Sequence, residues 1–285
     1  MSPALKRFSA RAKRLSFGEH EIAHWDEGDG DPLLLIHGFP TSSWDWHAIW
    51  DTLTAQRRVI ACDMLGFGLS DKPDARYSLF RQADLQINLL DHLGIERFDA
   101  LVHDYGVSVG QELLARQAEG QAPQGIGRMI FLNGGIFPGL HRPRLIQHLG
   151  ASPIGFIISR LLGYGQFRKS CPPVFGPDTQ PSEDELQDYW AMIAHKDGHR
   201  RFHQLLRYMH ERTAHKDRWV GALKDVQGRI GHINGALDPI SGRHVYDHWI
   251  DALPNAKAHL LEDVGHYPQV EAPDRVASTV LEWLA

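Results

Sequence analysis

Residues 102–110 read VHDYGVSVG, and two side chains in this stretch could attack an electrophile. Ser108, between Gly106 and Gly110, satisfies the G-x-S-x-G pattern that presents a serine nucleophile. Asp104 lies four residues earlier. An ionised carboxylate needs no base to become a nucleophile near pH 7, because its reference pKa is about 3.9. It can attack an sp³ carbon directly and form an alkyl ester. Hydrolysis of that ester then requires a histidine to deprotonate water.

The choice between the two nucleophiles depends on where a strand turns sharply into a helix, with the reactive residue at the apex and a small residue two positions on. With Asp104 at the apex, Ala100, Leu101 and Val102 are the buried strand and Gly106 fills the small position. Val107, Gly110, Leu113 and Leu114 then make one helix face toward the sheet. With Ser108 at the apex, the strand would run through His103, Asp104 and Gly106, burying a carboxylate and a glycine in the central sheet. The first register costs less, and it places Ser108 about one turn inside the helix. A helix N-cap is the other role open to Asp104.

The elements that position this turn alternate between strand and helix. Ser16–Phe17 and Glu21–Trp25 read as short antiparallel strands, and DGD at 29–31 turns the chain into the apolar strand PLLLIHG. A helix is expected through Trp44 to Leu53, a strand over 57–63, then Gly-rich turns and a helix from Leu79 to Leu93 with Gly94 as its C-cap. RFDALVHD and GRMIFLNGG are further strands flanking the helix of GVSVGQELLARQ. Such alternation indicates parallel βαβ units in an α/β sheet covered on both faces. From Pro138 to about Arg218 it stops, and the chain is mostly helical, with Ser182 and Glu185 placed as a capping box. It resumes with the strand GRIGHINGALDP, a helix from about Ser241, the strand KAHLLED and a last helix from Pro273. A helical insertion between two sheet strands reads as a cap.

Composition sets bounds on what the molecule could bind. The 285 residues fit one domain with an insertion, and the formal net charge of −5 offers no general attraction to nucleic acid, which suits a small neutral organic substrate. Lys6, Arg7, Arg11, Lys13 and Arg14 precede the first acid at Glu19 and read as a partly ordered basic arm. No apolar run reaches the roughly 18 residues of a membrane span. The longest, residues 153–165, is interrupted by Arg160 and glycines. Cys62 and Cys171 belong to no C-x-x-C pair, so a reducing cytoplasm is the simplest compartment. His195, His199 and His203 have i, i+4 spacing, but Gly198 weakens the helix and no carboxylate or cysteine completes a set, so no metal is expected.

The stretches LLLIHGFPTSSWDW, DMLGFGLSDKP, VHDYG, GALDP and GHYPQVE fall in the order and spacing of the α/β-hydrolase fold, and the resemblance covers nearly the whole chain. It implies a mostly parallel central sheet with helices on both faces, a core of residues 1–137 and 219–285, and a helical cap over 138–218. An aspartate at the sharp turn resembles the haloalkane dehalogenase and epoxide hydrolase branch. NGGIFPGLHRP, PVFGP and RWVGAL are similar to the mesoderm-specific transcript group and its bacterial relatives.

The resemblance implies roles residue by residue. His266 matches the histidine position, and Asp238 in GALDP matches the carboxylate that orients the imidazole. Some dehalogenases carry that acid after the strand that here ends in Asn133-Gly134-Gly135, which offers none. Asp263 is a weaker substitute, and Glu271 fits a role in fixing the loop. The backbone amides of Phe39 and Tyr105 take the oxyanion-hole positions. Dehalogenases usually place Asn and Trp at these two positions to hold the halide, and a phenyl ring cannot. Epoxide hydrolases need tyrosine hydroxyls from the cap instead, for which Tyr164, Tyr189 and Tyr208 are available, Tyr208 best placed. His37 and Trp44 are further candidates for substrate contact. The expected activity is cofactor-free hydrolysis through an Asp104 ester, on an epoxide first. Haloalkane dehalogenation, carboxylester hydrolysis through Ser108 and a non-catalytic binding role are the alternatives.

Overall fold

The computed structural model describes residues 1–122, 124–152 and 154–285; Pro153, which opens the longest apolar run, lies outside the described residues. The chain order begins α1 (Pro3–Ala10), β1 (Lys13–Phe17), β2 (His20–Glu27), β3 (Pro32–Ile36), α2 (Trp50–Thr54), β4 (Arg58–Cys62) and α3 (Leu79–His92). It continues with β5 (Arg97–Val102), α4 (Tyr105–Ala118) and β6 (Gly125–Phe131). A helical segment follows: α5 (Leu145–Ala151), α6 (Gly155–Leu161), α7 (Tyr164–Ser170), α8 (Glu183–Ala194), α9 (Phe202–Leu205), α10 (Tyr208–Ala214) and α11 (Lys216–Lys224). The chain closes with β7 (Ile230–Gly235), α12 (Arg243–Ala252), β8 (Lys257–Leu261), α13 (Pro268–Glu271) and α14 (Pro273–Leu284).

Among the described residues there is one eight-stranded sheet, in the order β1-β2-β4-β3-β5-β6-β7-β8. β2 pairs antiparallel with β1 and β4, and every other pairing is parallel. Strand side chains alternate in direction, and β3 serves both faces accordingly. Leu34 and Ile36 enter a core with α3, α4, α11 and α12, whereas Leu33 and Leu35 enter another with α1, α2 and α14. Full burial of each such side chain contributes about 1.5–3 kcal/mol. This is why the run PLLLI is apolar at every position after Pro32. The reading of an α/β-hydrolase fold with helices inserted between two sheet strands holds.

Three expectations are corrected. The N-terminal segment is not a partly ordered arm: Ser2 caps α1 by accepting from the Leu5 N–H at 3.1 Å, and Leu5 and Phe8 are buried in the core. The Phe8 ring stacks on Trp25 at 4.6 Å and meets Trp44 and Trp50 edge-on at 5.3 and 5.4 Å, while Lys6 and Arg7 stay exposed on the opposite face. The helix expected over 44–53 is divided into a 3-10 turn at Ser43–Trp46 and the short α2. As the weakening Gly198 suggested, His195, His199 and His203 do not lie along one continuous helix: Lys196 and Asp197 take φ of 50° and 59° and interrupt it. The expected boundary at 218 falls inside α11, which packs on α4 through a Trp219 Nε1–H bond to Glu112 at 2.7 Å. The Ser182–Glu185 capping box is present, and Gly94 follows α3 at φ +66°. Among the described residues, no helix is long and apolar enough to cross a membrane.

Candidate active site

The turn from β5 into α4 places Asp104 at the apex, with φ 47° and ψ −107°. Two glycines make room for it. A Cβ on Gly106 would lie 2.3 Å from the Ile36 carbonyl oxygen, and one on Gly38 would lie 2.8 Å from the Asp104 Cβ. Ser108 falls inside α4, buried, with its hydroxyl unpartnered and away from the cavity over Asp104. The register deduced from the sequence is therefore the one the backbone adopts.

Three side chains from three loops converge at this apex. Asp104 Oδ1 accepts the Phe39 N–H at 2.8 Å, and Oδ2 lies 3.4 Å from His266 Nε2. His266 Nδ1 donates to Asp238 Oδ2 at 2.7 Å. That oxygen also accepts from Ser241 Oγ at 2.6 Å and Asn133 Nδ2 at 3.0 Å, while Oδ1 accepts the Ile240 N–H at 2.8 Å. The residue after β6 that lacks an acid thus supplies a hydrogen bond to the acid after β7. Tyr105 begins α4, so its N–H is among the helix-end donors without an intrahelical partner.

The electrostatics follow from burial and pairing. Burial alone would raise the carboxyl pKa values, but the His266 hydrogen bond and charge override it, holding Asp104 well below the usual range and Asp238 at about 2. Burial would likewise discharge His266. The charge of Asp238 and the hydrogen bonds of both carboxylates prevail and hold its imidazolium well above the ordinary histidine value. At rest the site is a buried cation between two anions.

The supporting loops are held by groups of two kinds. Glu271 fixes the His266 loop, accepting the N–H groups of Gly265 and Tyr267, each at 2.8 Å, and the Thr179 hydroxyl at 2.6 Å. Asp263 instead pairs with Arg275 at 2.8 Å on the surface. His103 and Asp45 were not singled out from the sequence. His103 Nε2 donates to the His266 carbonyl at 2.8 Å. Its Nδ1 lies 3.9 Å from the fully buried Asp45, whose carboxyl burial pushes well above its ordinary pKa.

A cavity of about 120 Å³ lies over Asp104 and His266. Phe39, Phe167, Val174, Phe202, Leu206 and Ile240 give it an apolar wall, with Arg144 and Gln147 as polar additions. The five side chains expected to contact substrate do not line it. His37 links loops through its Gly38 and Met64 bonds, at 2.8 and 3.0 Å. Trp44 stacks on His47 at 4.2 Å, and Tyr164 bonds Glu183 at the surface. Tyr189 is buried beside Tyr267, and Tyr208 packs its ring 4.9 Å from Tyr105. Tyr208 is nonetheless near the site: burial, then the Asp104 charge, raise its hydroxyl pKa.

Residues 33–279 match the alpha/beta hydrolase family. The chain belongs to that family. Within it, this alpha/beta hydrolase is 41% identical over 289 residues to the mesoderm-specific transcript protein of Mus musculus, covering 96% of this chain and 85% of that one. It is 38% identical over 258 residues to the putative hydrolase LipZ of Mycobacterium tuberculosis, covering 90% and 89%. The crystal structure of haloalkane dehalogenase DbeA from Bradyrhizobium elkani superimposes with a TM-score of 0.80 over 95% and 96% of the two chains, at 24% identity. At that identity the likeness speaks to fold alone.

Proposed function

We propose that this alpha/beta hydrolase acts through Asp104 as nucleophile, His266 as base and Asp238 as its orienting acid, opening a small, largely apolar epoxide under a cap formed by residues 138–218. One observation carries the reading: Asp104, at the apex of the sharp turn, has one oxygen held by the Phe39 N–H and the other facing His266 Nε2 at 3.4 Å. In the first step Oδ2 attacks a ring carbon and the C–O bond of the epoxide breaks, leaving an alkyl ester whose carbonyl oxygen is Oδ1. Alkylation removes the Asp104 charge. His266 then loses one of the two partners that hold its proton, so its pKa falls; that proton passes to the opened ring oxygen, and the neutral imidazole left behind can take a proton from water. Hydroxide adds to the Asp104 carboxyl carbon, and the oxyanion on Oδ1 is met by the Phe39 amide and the adjoining Tyr105 amide. Collapse returns the carboxylate and releases a diol. The cavity volume of about 120 Å³ favours a small substrate, since ligand pockets commonly hold roughly 300–1,000 Å³.

The opening oxygen needs a proton. Tyr208 is the cap tyrosine within the field of Asp104; like any tyrosine it is protonated at neutral pH, and donation requires its hydroxyl to turn toward the cavity and to regain its proton from the His266 imidazolium. The apolar Phe39 side chain, where a halide donor would be needed, supports an epoxide over a haloalkane. The test is intact-mass measurement of His266→Gln incubated with epoxides, haloalkanes and short esters. The expected product is a protein heavier by the full mass of the epoxide, since ring opening expels nothing. A gain of an alkyl group with halide release would assign dehalogenation, and an adduct that persists in Asp104→Asn would refute the nucleophile.

A further inference from the structure

Arg212 stands apart among the charged side chains outside the Asp104 site. It lies in α10, is 4% exposed, and donates through Nη2 to the Gly135 carbonyl. Its Nε has no partner, and no carboxylate pairs with it among the described residues. Arg218, six residues on, is instead matched by Glu112 and Glu119. A buried guanidinium without an anion is costly unless one is supplied. Beside it lies His141, with both ring nitrogens buried and unpartnered. Burial, then the Arg212 charge, push its pKa down to about 4, so near neutral pH the ring offers one N–H donor and one acceptor.

Arg212 and His141 line one cleft of about 530 Å³, together with His148, His210 and Thr213, and no acidic residue lines it among the described residues. The cleft adjoins the catalytic cavity. Gly150 of α5 lines the Asp104 cavity while the next residue, Ala151, lines the cleft. On the sheet side only the Gly134–Gly135 turn intervenes: Gly135 meets the guanidinium, and a Cβ on Gly134 would lie 3.0 Å from the Asp104 Cα.

We propose that this cleft is an anion-binding site, which takes a carboxylate or phosphate group between the Arg212 guanidinium and the His141 ring. The planar guanidinium forks onto two oxygens of such a group, and the imidazole N–H donates to one of them. The site does not require Asp104 to be the nucleophile, although the Asp104 charge is felt at both groups and the Arg212 guanidinium lies 5.9 Å from the Tyr208 ring centroid.

Isothermal titration with inorganic phosphate at fixed ionic strength, against a chloride control, tests it on the full chain. The expected result is one saturable site that Arg212→Gln and His141→Phe each weaken by about tenfold or more. If Arg212→Gln does not fold, as judged by near-ultraviolet circular dichroism, His141→Phe gives the answer alone. Absence of saturable binding to the unmodified protein, or binding that His141→Phe leaves unchanged, overturns the proposal. A second arm separates the sources of the anion once a turnover substrate is known. If the anionic group belongs to the substrate, a carboxylated epoxide has a lower KM than its neutral amide, phosphate competes with it, and His141→Phe abolishes the difference. If the anion is free, phosphate binds and the two epoxides are turned over alike.

Discussion

Replacing Asp238 by Asn separates the two chemical steps. Asp238 is buried and its Oδ2 accepts from His266, Ser241 and Asn133, while Oδ1 accepts from Ile240. An amide fits the space but not the chemistry, since its NH₂ must face one of these donors. That contact costs about 1–3 kcal/mol of stability. The larger effect is electrostatic. A unit charge pair about 4 Å apart at an effective dielectric near 20 is worth ~4 kcal/mol. His266 becomes cationic when it takes a proton from water, so that stabilisation is lost from ester hydrolysis and, at 1.36 kcal/mol per decade, corresponds to a decrease of ~10³ in kcat. Alkylation starts from the His266 cation and builds no positive charge there, so it is affected far less. Rapid-quench intact-mass measurement beside steady-state kinetics therefore expects a full burst of alkyl-enzyme followed by slow decay. A kcat within about tenfold of the unmodified protein and no accumulated adduct, in a variant with native near-ultraviolet circular dichroism, would refute the assignment of Asp238.

Tyr208→Phe tests the proton donor: kcat for epoxides falls by about 10²–10⁴ if the hydroxyl donates, whereas an effect below about threefold in kinetic assays leaves it a packing residue. Phe8→Ala removes the ring that α1 inserts among Trp25, Trp44 and Trp50 and lowers stability by about 3–5 kcal/mol in urea denaturation. Burial pushes His103, His141 and His232 each down to about 4. In the unfolded chain a histidine titrates near pH 6.5, so between about pH 6.5 and 4 the unfolded state holds more protons, and stability falls with pH by up to ~1.4 kcal/mol per unit for each ring. Urea denaturation across that range measures the slope, and His232→Phe flattens it by about one ring's share.

The parts of the site that could be read from the sequence are those set by local backbone rules. Asp104 was identifiable because only one register buries an apolar strand, and Gly106 marks the close approach to β3. His266 and Asp238 stand in turns whose positions the resemblance supplied. The side chains expected to contact substrate could not be placed in the same way, since their direction depends on how short helices pack over the sheet. Tyr164 turns out to Glu183 and Tyr189 in against Tyr267, while Arg144, Gln147 and Phe202 line the cavity without any motif to mark them. The N-terminal segment did carry a signal: Leu5 and Phe8, three apart among basic residues, are one face of a short helix. Asp45 and His103 were hidden because a buried polar pair looks like surface composition until its neighbours are known.

The backbone of Asp104 has a consequence beyond its chemistry. A non-glycine residue at φ 47° occupies a region that side chains disfavour, at a cost of about 1–3 kcal/mol that the surrounding loops must sustain. Glycine would sit there at ease and inert. The fold is thus tuned away from its own most restful state at one residue, and the reactive group is held in place by the Phe39 amide and the His266 ring against that strain.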